Sequence, residues 1–294
     1  MSINYASQFL SVLAQKFAQG ATSNDMERNT RFKWLNAHTL NIPTLQLSGY
    51  KDHVRDGSKN TGTLGNTYQA VTIDYDRDIQ FYVDESDINE TNMVLSAANI
   101  TNTFLEEQAI PEQDAYRYSK LFAAFVAAGG TVDTTTLTAA NILSKFDAMM
   151  EAMDEAGVPL SGRVLKVTPK INTLLKNAEG LTRTLDASGA PIVKRSIHSL
   201  DDVEIIVVPS DRMKSAYDFS NGFAPALTAR QINMMLYHTD AFIATKNISD
   251  IYLWPKGATP DSAYGPLYQN RTQGVLYLIT AKKAGVAINA DAAA

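Results

Sequence analysis

The sequence contains no cysteine. Disulfides, thiolate metal sites and cysteine nucleophiles are therefore excluded. Histidines are few and lack the spacing of metal ligands, so we expect them to be surface or interface side chains. They are His38, His53, His198 and His238. Motifs for phosphate loops, dinucleotide-binding turns and nucleophile elbows are also missing. The sequence therefore predicts no catalytic residue, no cofactor and no metal, and it favours a protein that is not an enzyme.

Charge is sparse as well. Charged residues make up 19% of the 294 residues, and the formal net charge is −5. A protein that grips DNA phosphates through its own fold is usually basic, so any contact with DNA is expected to be weak and non-specific. A low charged fraction is typical of a chain whose exterior is partly covered by other subunits.

Long hydrophobic runs are absent from the sequence. A membrane span needs roughly 20 apolar residues in a row, so no membrane contact is expected. The first 20 residues have too few positive charges for a signal peptide. They favour an amphipathic helix ending at Gly20, because apolar residues recur at three- and four-residue spacing. These residues are Tyr5, Phe9, Val12, Leu13 and Phe17.

Residues 37–85 predict a long two-stranded hairpin. TLQLSGY (44–50) is a strand candidate, and residues 67–85 alternate strictly, as a strand of unusual length does. Residues 51–66 between them are polar and contain several glycines. Because a lone hairpin is marginal in water, this one is expected to find support outside its own domain. The charged residues of its tip are Lys51, Asp52, Arg55, Asp56 and Lys59.

One segment of this hairpin imitates a calcium loop. Asp74, Asp76, Asp78 and Glu85 occupy acidic positions of such a loop. The sixth position requires glycine for a sharp turn, but Ile79 stands there. Strict alternation explains the same aspartates as the solvated face of a strand, and we favour that interpretation.

A long helix follows, and a proline interrupts it. Helical spacing runs from Met93 to Ile110, restarts from Glu112 to Phe125, and stops at Gly129-Gly130. Proline costs about 3 kcal/mol in a helix interior but is favourable in a first turn beside acidic residues. We therefore predict a bend or break within two residues of Pro111.

Residues 133–237 predict a compact α/β or α+β unit. A helix carrying a methionine stripe ends at Gly157, and the stripe is interpreted as core packing. A strand at 163–168 leads into a helix that starts at Pro169 and is capped by Thr168. An apolar strand covers 203–209.

Two further strands, at 240–254 and 273–281, flank a second loop rich in glycine and proline. The complete order of elements predicts the α+β class.

That order resembles the major capsid proteins of tailed bacteriophages, which have the Hong Kong 97-type shell fold. NAHTLNIPTLQLSGYKDHVRDGS looks like the family's extended loop, and VDESDINETNMVLSAANITNTFLEEQAIPEQDAYRYSKLFAA looks like its spine helix. ILSKFDAMMEAMDEAGVPLSGRVLKVTPKINTLLKN resembles the opening of the axial domain. KNISDIYLWPKGATPDSAYGPLYQNRTQGVLYLITAKKAGVAI resembles the returning strands of the peripheral domain. The spine segment is closest in look to siphophages of Gram-positive hosts.

The resemblance implies four domains. These are an N-terminal arm (1–36), an extended loop hairpin (37–85), a peripheral domain with a long spine helix (86–132 and 238–290) and an axial domain (133–237).

The resemblance also implies a function. Pentamers and hexamers of the chain would close an icosahedral virion shell around double-stranded DNA, after assembly in the host cytoplasm. Implied partners are further copies of the chain, a portal, packaged DNA and a decoration protein. About 40 residues precede the hairpin, too few for a fused scaffolding segment, so a separate scaffold protein is expected. Alternatives are the shell of an encapsulin-type nanocompartment and, less favoured, a soluble α/β enzyme.

Two roles for loop residues follow from the resemblance. The tip charges would meet complementary charges on a neighbouring subunit, although a solvated loop tip explains them as well. Some relatives join subunits by a Lys–Asn isopeptide bond, for which Lys51, Lys59 and Asn270 are the candidates here. Lysine and asparagine are common loop residues, so the pattern does not favour a cross-link.

Overall fold

A computed structural model describes residues 20–29, 33–36, 39–53, 55, 59–90, 97–178 and 199–293. The expected N-terminal helix over residues 1–19 lies outside these ranges. Four residues singled out above also lie outside them, namely His38, Asp56, Met93 and His198.

The described chain alternates strands and helices. The strands are β1 (Lys33–Asn36), β2 (Thr39–Leu47), β3 (Leu64–Thr72), β4 (Tyr75–Tyr82), β5 (Arg163–Val167), β6 (Ser199–Leu200), β7 (Val203–Val207), β8 (Tyr217–Asp218), β9 (Ala224–Pro225), β10 (Ile232–His238), β11 (Phe242–Trp254), β12 (Leu267–Leu278) and β13 (Val286–Ala290). The α-helices are α1 (Glu85–Glu90), α2 (Ala97–Phe104), α3 (Ile110–Ala127), α4 (Ile142–Glu155) and α5 (Pro169–Lys176).

A five-stranded sheet forms the centre of the unit expected at residues 133–237. Its order is β13-β10-β5-β7-β6, with β5 and β7 parallel and the other pairs antiparallel. The methionine stripe of α4 is buried against this sheet, which confirms its role in the core. Thr168 occupies the N-cap of α5 as expected, but its side chain makes no capping hydrogen bond. Strand β13 follows the other strands in the sequence and pairs with β10. Sequence patterns did not predict β10.

A second sheet has the order β11-β12-β4 and carries the returning strands. Its inner face packs on α2, where the ring centroids of Phe81 and Phe104 lie 5.5 Å apart and those of Phe104 and Tyr268 lie 6.0 Å apart. Strand β12 begins at Leu267, six residues earlier than expected, because its whole length pairs with β11.

Residues 67–85 are not one strand, which corrects the prediction from alternation. The chain leaves β3, which pairs with β2, and after Ile73-Asp74 enters β4, which pairs with β12 in another sheet. At this point the Asp74 carboxylate accepts hydrogen bonds from the Tyr116 hydroxyl (2.5 Å) and from Lys120, both on α3. Alternation predicts which side chains share a face, but it cannot show where a strand changes partner.

The helix around Pro111 changes its winding rather than breaking. Residues Leu105–Ala109 form a π-helical turn, in which the Ile110 N–H donates to the Leu105 carbonyl. Pro111 then stands in the first turn of α3. A proline ring clashes with the carbonyl four residues earlier in a regular α-helix, and a wider turn before it relieves that conflict. The bend or break within two residues of Pro111 stays a prediction.

Gly265 allows the start of β12 to approach β4 closely. A Cβ atom at this position would lie 1.9 Å from the Val83 carbonyl oxygen. The backbone is fixed on both sides, because Val83 N–H donates to Pro266 O and Glu85 N–H to Tyr264 O, each at 3.3 Å.

We expect Gly265→Ala to lower the free energy of unfolding by about 2–3 kcal/mol, since the new methyl group must displace backbone. Urea unfolding of the unassembled chain measures the change. Gly49→Ala is the matched control, because a Cβ at Gly49 meets nothing within 4 Å. Equal stability of the two variants would contradict the proposed close approach.

Candidate interaction surfaces

The hairpin of β2 and β3 presents an exposed apolar face. Leu47 pairs with Leu64, Leu45 with Asn66 and Pro43 with Tyr68, so these side chains share one face. Leu45, Leu47, Leu64 and Tyr68 are 61–72% exposed. The opposite face is different, because Leu40 and Ile42 are buried against Ile243 of β11. The hairpin thus rests on its own subunit at its base and displays leucines and a tyrosine to the outside, as a docking surface does.

The hairpin tip connects Ser48 to Thr63. The Ser48 N–H donates to the Thr63 carbonyl at 3.1 Å and closes the end of the ladder. Beyond it, Lys51, Asp52, Arg55 and Lys59 are exposed. The Asn60 amide donates to the backbone carbonyls of Lys51 (3.3 Å) and Asp52 (2.7 Å) and so holds the two sides of the tip together. The complementary charges expected on a neighbour stay a prediction.

Asn270 does not lie in a loop, which corrects the expectation from sequence. It stands within β12 and is 7% exposed, and its amide donates to the Tyr268 hydroxyl at 2.9 Å. Its side chain shares the inner face of the sheet with Tyr268, because residues two apart point to the same side. Asn270 lines the groove between this sheet and the π-helical turn, so a lysine from a neighbouring copy would have to enter that groove to reach its amide.

The acidic residues of the imitated calcium loop are bound to separate partners. Asp76 accepts from Arg271 Nε (3.0 Å) and Nη2 (2.8 Å) and from Gln273 Nε2 (3.1 Å). Asp74 pairs with Lys120, and Glu85 pairs with Lys256. Among the described residues, no group of three or more His, Cys, Asp or Glu side chains could hold a metal ion. The interpretation as a strand face agrees with this geometry for Asp76 and Asp78, which lie on the exposed face of β4, whereas Asp74 precedes β4 and Glu85 begins α1.

His238 is buried in β10, so the expectation of a surface or interface side chain is wrong for it. Its Nε2 lies 2.9 Å from the Ser161 carbonyl oxygen, and its Nδ1 accepts from the Asp240 N–H at 3.1 Å. His53 is exposed in the hairpin tip.

A groove of about 360 Å³ runs beside the π-helical turn, between it, β4 and the loop after β8. Arg77 crosses this region, donating from Nε to Glu112 Oε1 (2.8 Å) and from Nη1 to the Phe219 carbonyl (2.5 Å). Tyr75 also donates to Glu112, and burial together with the Glu112 charge raises the pKa of the Tyr75 hydroxyl. The tyrosine therefore remains a neutral donor, and Arg77 fixes the loop to the helix.

A buried polar cluster holds residues 20–29, which we name the N-terminal strap. Its centre is Asp114 on α3, whose side chain is fully buried. Asp114 Oδ1 accepts from the Ser23 N–H (3.1 Å) and hydroxyl (2.6 Å). Asp114 Oδ2 accepts from the Thr22 N–H (3.0 Å) and hydroxyl (2.8 Å), and Arg212 Nη1 donates to it at 3.2 Å.

Further buried cations bind the strap from both sides. Lys166 on β5 donates to Asp25 Oδ1 (2.6 Å) and to the Thr22 carbonyl (2.5 Å), and the Tyr237 hydroxyl donates to Asp25 Oδ2 (2.5 Å). Arg117 donates to the Ser23 carbonyl at 2.9 Å and pairs with Glu27. Burial lowers the pKa of Lys166, while the Asp25 charge opposes that shift.

Sequence patterns did not reveal this cluster. Asp114 follows Pro111 near the start of a helix, where an acidic residue is favourable in itself, yet its partners lie about 90 residues away along the chain. No local pattern indicates such a pairing.

In the described part of the chain, no helix is both long and apolar enough to cross a membrane.

Comparisons of the whole chain with solved structures identify the fold. The chain is similar to the capsid structure of cyanophage P-SCSP1u, with 12% identity, a TM-score of 0.67, and coverage of 98% of this chain and 93% of that chain. It is similar to the mature capsid of bacteriophage PhiM1, with 12% identity, a TM-score of 0.66, and coverage of 97% and 91%. The chain has the fold of a phage capsid protein. A structure of Mycobacterium phage Che8 matches as well, with 16% identity, a TM-score of 0.63 and 97% of both chains covered.

No family model and no curated protein matches the sequence significantly. At 12–16% identity, the likeness to these structures rests on the fold rather than on shared motifs.

Because Asn270 is buried in a strand, we expect assembled particles to carry no Lys–Asn cross-link through it. Heated in detergent, such particles should migrate on a denaturing gel as one band of about 32.1 kDa, the mass of the chain. A ladder of multimers that survives heating, and disappears in the variant Asn270→Ala, would contradict this expectation.

Proposed function

We propose that the chain is a non-enzymatic structural subunit that assembles as pentamers and hexamers into an icosahedral virion shell around double-stranded DNA. The observation that carries this proposal is the likeness to capsid structures, which covers more than nine-tenths of both chains. Likeness over the whole length means that the hairpin, the long helix and both sheets are included, rather than one common substructure.

The division into four domains is part of this proposal. Residues 1–36 are assigned to the N-terminal arm, and residues 37–85, with β2, β3 and β4, to the extended loop. The peripheral domain takes residues 86–132 and 238–290, and the axial domain takes residues 133–237. Portal, separate scaffold protein, packaged DNA and a decoration protein are the proposed partners, with assembly in the host cytoplasm. The matched structures are from phages, so they do not favour the encapsulin-type alternative.

The hairpin is the proposed contact with a neighbouring copy. Its outer face carries four exposed apolar side chains, and its tip carries exposed charges of both signs. A contact between this hairpin and a different surface of the next copy is heterologous, and such contacts close into rings when the rotation fits. Several modest contacts per subunit can then stabilise a shell through multivalency.

Particle size tests the function directly. Expressed with a cognate scaffold protein, the chain should elute from a size-exclusion column as large particles that electron microscopy shows to be closed shells. A monomer or small oligomer under these conditions would exclude a shell protein and favour the soluble enzyme. Protein cargo in place of DNA in shells isolated from the natural source would favour the encapsulin alternative.

A deletion of the hairpin tip is expected to leave the hydrogen bonds between β2 and β3 intact. Deletion of residues 50–61 joins Gly49 to Gly62 between the paired residues Ser48 and Thr63. Gly-Gly is a favourable two-residue turn, so the shortened hairpin should form. We expect a folded subunit that no longer yields closed shells, as judged by circular dichroism and electron microscopy.

A charge variant separates the length of the tip from its charge. Lys51→Ala, Arg55→Ala and Lys59→Ala together leave the chain length unchanged. If complementary charges matter, the triple variant should also lose closed shells at physiological salt. Normal shells in the deletion variant would exclude the tip as an assembly contact.

A further inference from the structure

The N-terminal strap is attached almost entirely by polar contacts. Met26 is its one large apolar side chain and is fully buried in the main core. Its other anchors are hydrogen bonds and ion pairs, among them those with Asp114, Arg117, Lys166 and Tyr237. Each such bond contributes little net free energy, because water can replace it when the strap leaves.

Most of the core beneath the strap is formed by residues outside it, with Met26 as the strap's contribution. Leu121 and Phe122 of α3 are buried with Val164 of β5 and Met235 of β10 in one apolar cluster. The helix and the five-stranded sheet therefore stay packed by apolar contacts that the strap does not provide. Segments with few apolar contacts open locally at a lower free energy than the core does.

The charges of the strap match the cleft that holds it. Asp25 neutralises Lys166, whose side chain is fully buried, and Glu27 pairs with Arg117, which is 4% exposed. An undocked strap leaves both cations facing a water-filled cleft. The cleft is thus built to recapture a segment that carries carboxylates.

We propose that the N-terminal strap is a releasable latch that opens while the rest of the subunit stays folded. Ten undocked residues, 20–29, add up to about 35 Å of extended chain to whatever precedes them. In a shell, a step that rests on the function proposed above, this added length lets the N-terminal arm reach a neighbouring copy. Local opening itself is a property of the unassembled subunit.

The absence of cysteine allows a direct test of opening. Met26→Cys and Met235→Cys each introduce one thiol, both at positions that are 0% exposed and within the same core cluster. The thiol of M26C should react with a soluble disulfide reagent about 100-fold faster than that of M235C. Below the unfolding transition, urea should raise the reaction rate of the M235C thiol and leave that of the M26C thiol nearly unchanged, because local opening exposes little surface. Equal rates with equal urea dependence would overturn the proposal.

A second substitution links opening to the buried carboxylate. Asp114→Asn removes the charge that accepts hydrogen bonds from Thr22, Ser23 and Arg212. Asp114→Asn should raise the rate of the thiol reaction about tenfold in M26C and much less in M235C. Asp147→Asn, at an exposed position of α4, should change neither rate. Equal acceleration at both positions would show that the strap belongs to the global folding unit.

Amide exchange of the unmodified chain covers the case in which a cysteine variant fails to fold. The Thr22 and Ser23 amides, which donate to Asp114, should exchange well before the amides of β5 and β10. Simultaneous exchange would again overturn the latch. These readouts use the unassembled subunit, so they succeed or fail independently of whether closed shells form.

Discussion

One buried carboxylate organises the junction on which the subunit depends. Asp114 accepts hydrogen bonds from two backbone amides and two hydroxyls of the N-terminal strap, and it also pairs with Arg212. Burying a charge is costly unless donors surround it, and loss of one partner leaves the others unpaired. The strap, α3 and the loop carrying Arg212 are therefore fixed relative to one another. The same donors are satisfied by water when the strap undocks, so the junction is specific in geometry without being permanent.

The hairpin of β2 and β3 differs from this polar junction, because the face it presents to the outside is apolar. Its base is buried through Leu40 and Ile42, but its outer face leaves Leu45, Leu47 and Leu64 in solvent. A subunit that must join many copies benefits from weak apolar contacts of this kind, because a closed shell multiplies them. The core of the chain is apolar, as in other globular proteins, and the exposed leucines of the hairpin lie outside it. Their exposure is explained if the exterior of the isolated chain becomes an interface.

Sequence patterns predicted elements better than partners. Periodicity located the hairpin, the helix with the methionine stripe, and the parallel strands β5 and β7. It failed at Asp74, where one alternating segment changes sheets, and at Asn270, which lies in a strand rather than a loop. It also missed the strap, because Thr22 and Asp114 are joined only by the folded chain. Local propensity acts over a few residues, whereas each of these outcomes depends on contacts between distant segments.

The long helix shows how a local conflict is resolved by the surrounding fold. The backbone widens to a π-helical turn directly before Pro111, the residue at which a bend or break is predicted. The widened turn supplies Leu105, Gln108 and Ala109 to the wall of the groove beside β4. Arg77 holds the opposite side of that groove to Glu112, the residue after the proline. Asp114 lies less than one turn beyond Pro111 on the same helix. The regular helix that follows the widened turn therefore places this carboxylate against the strap.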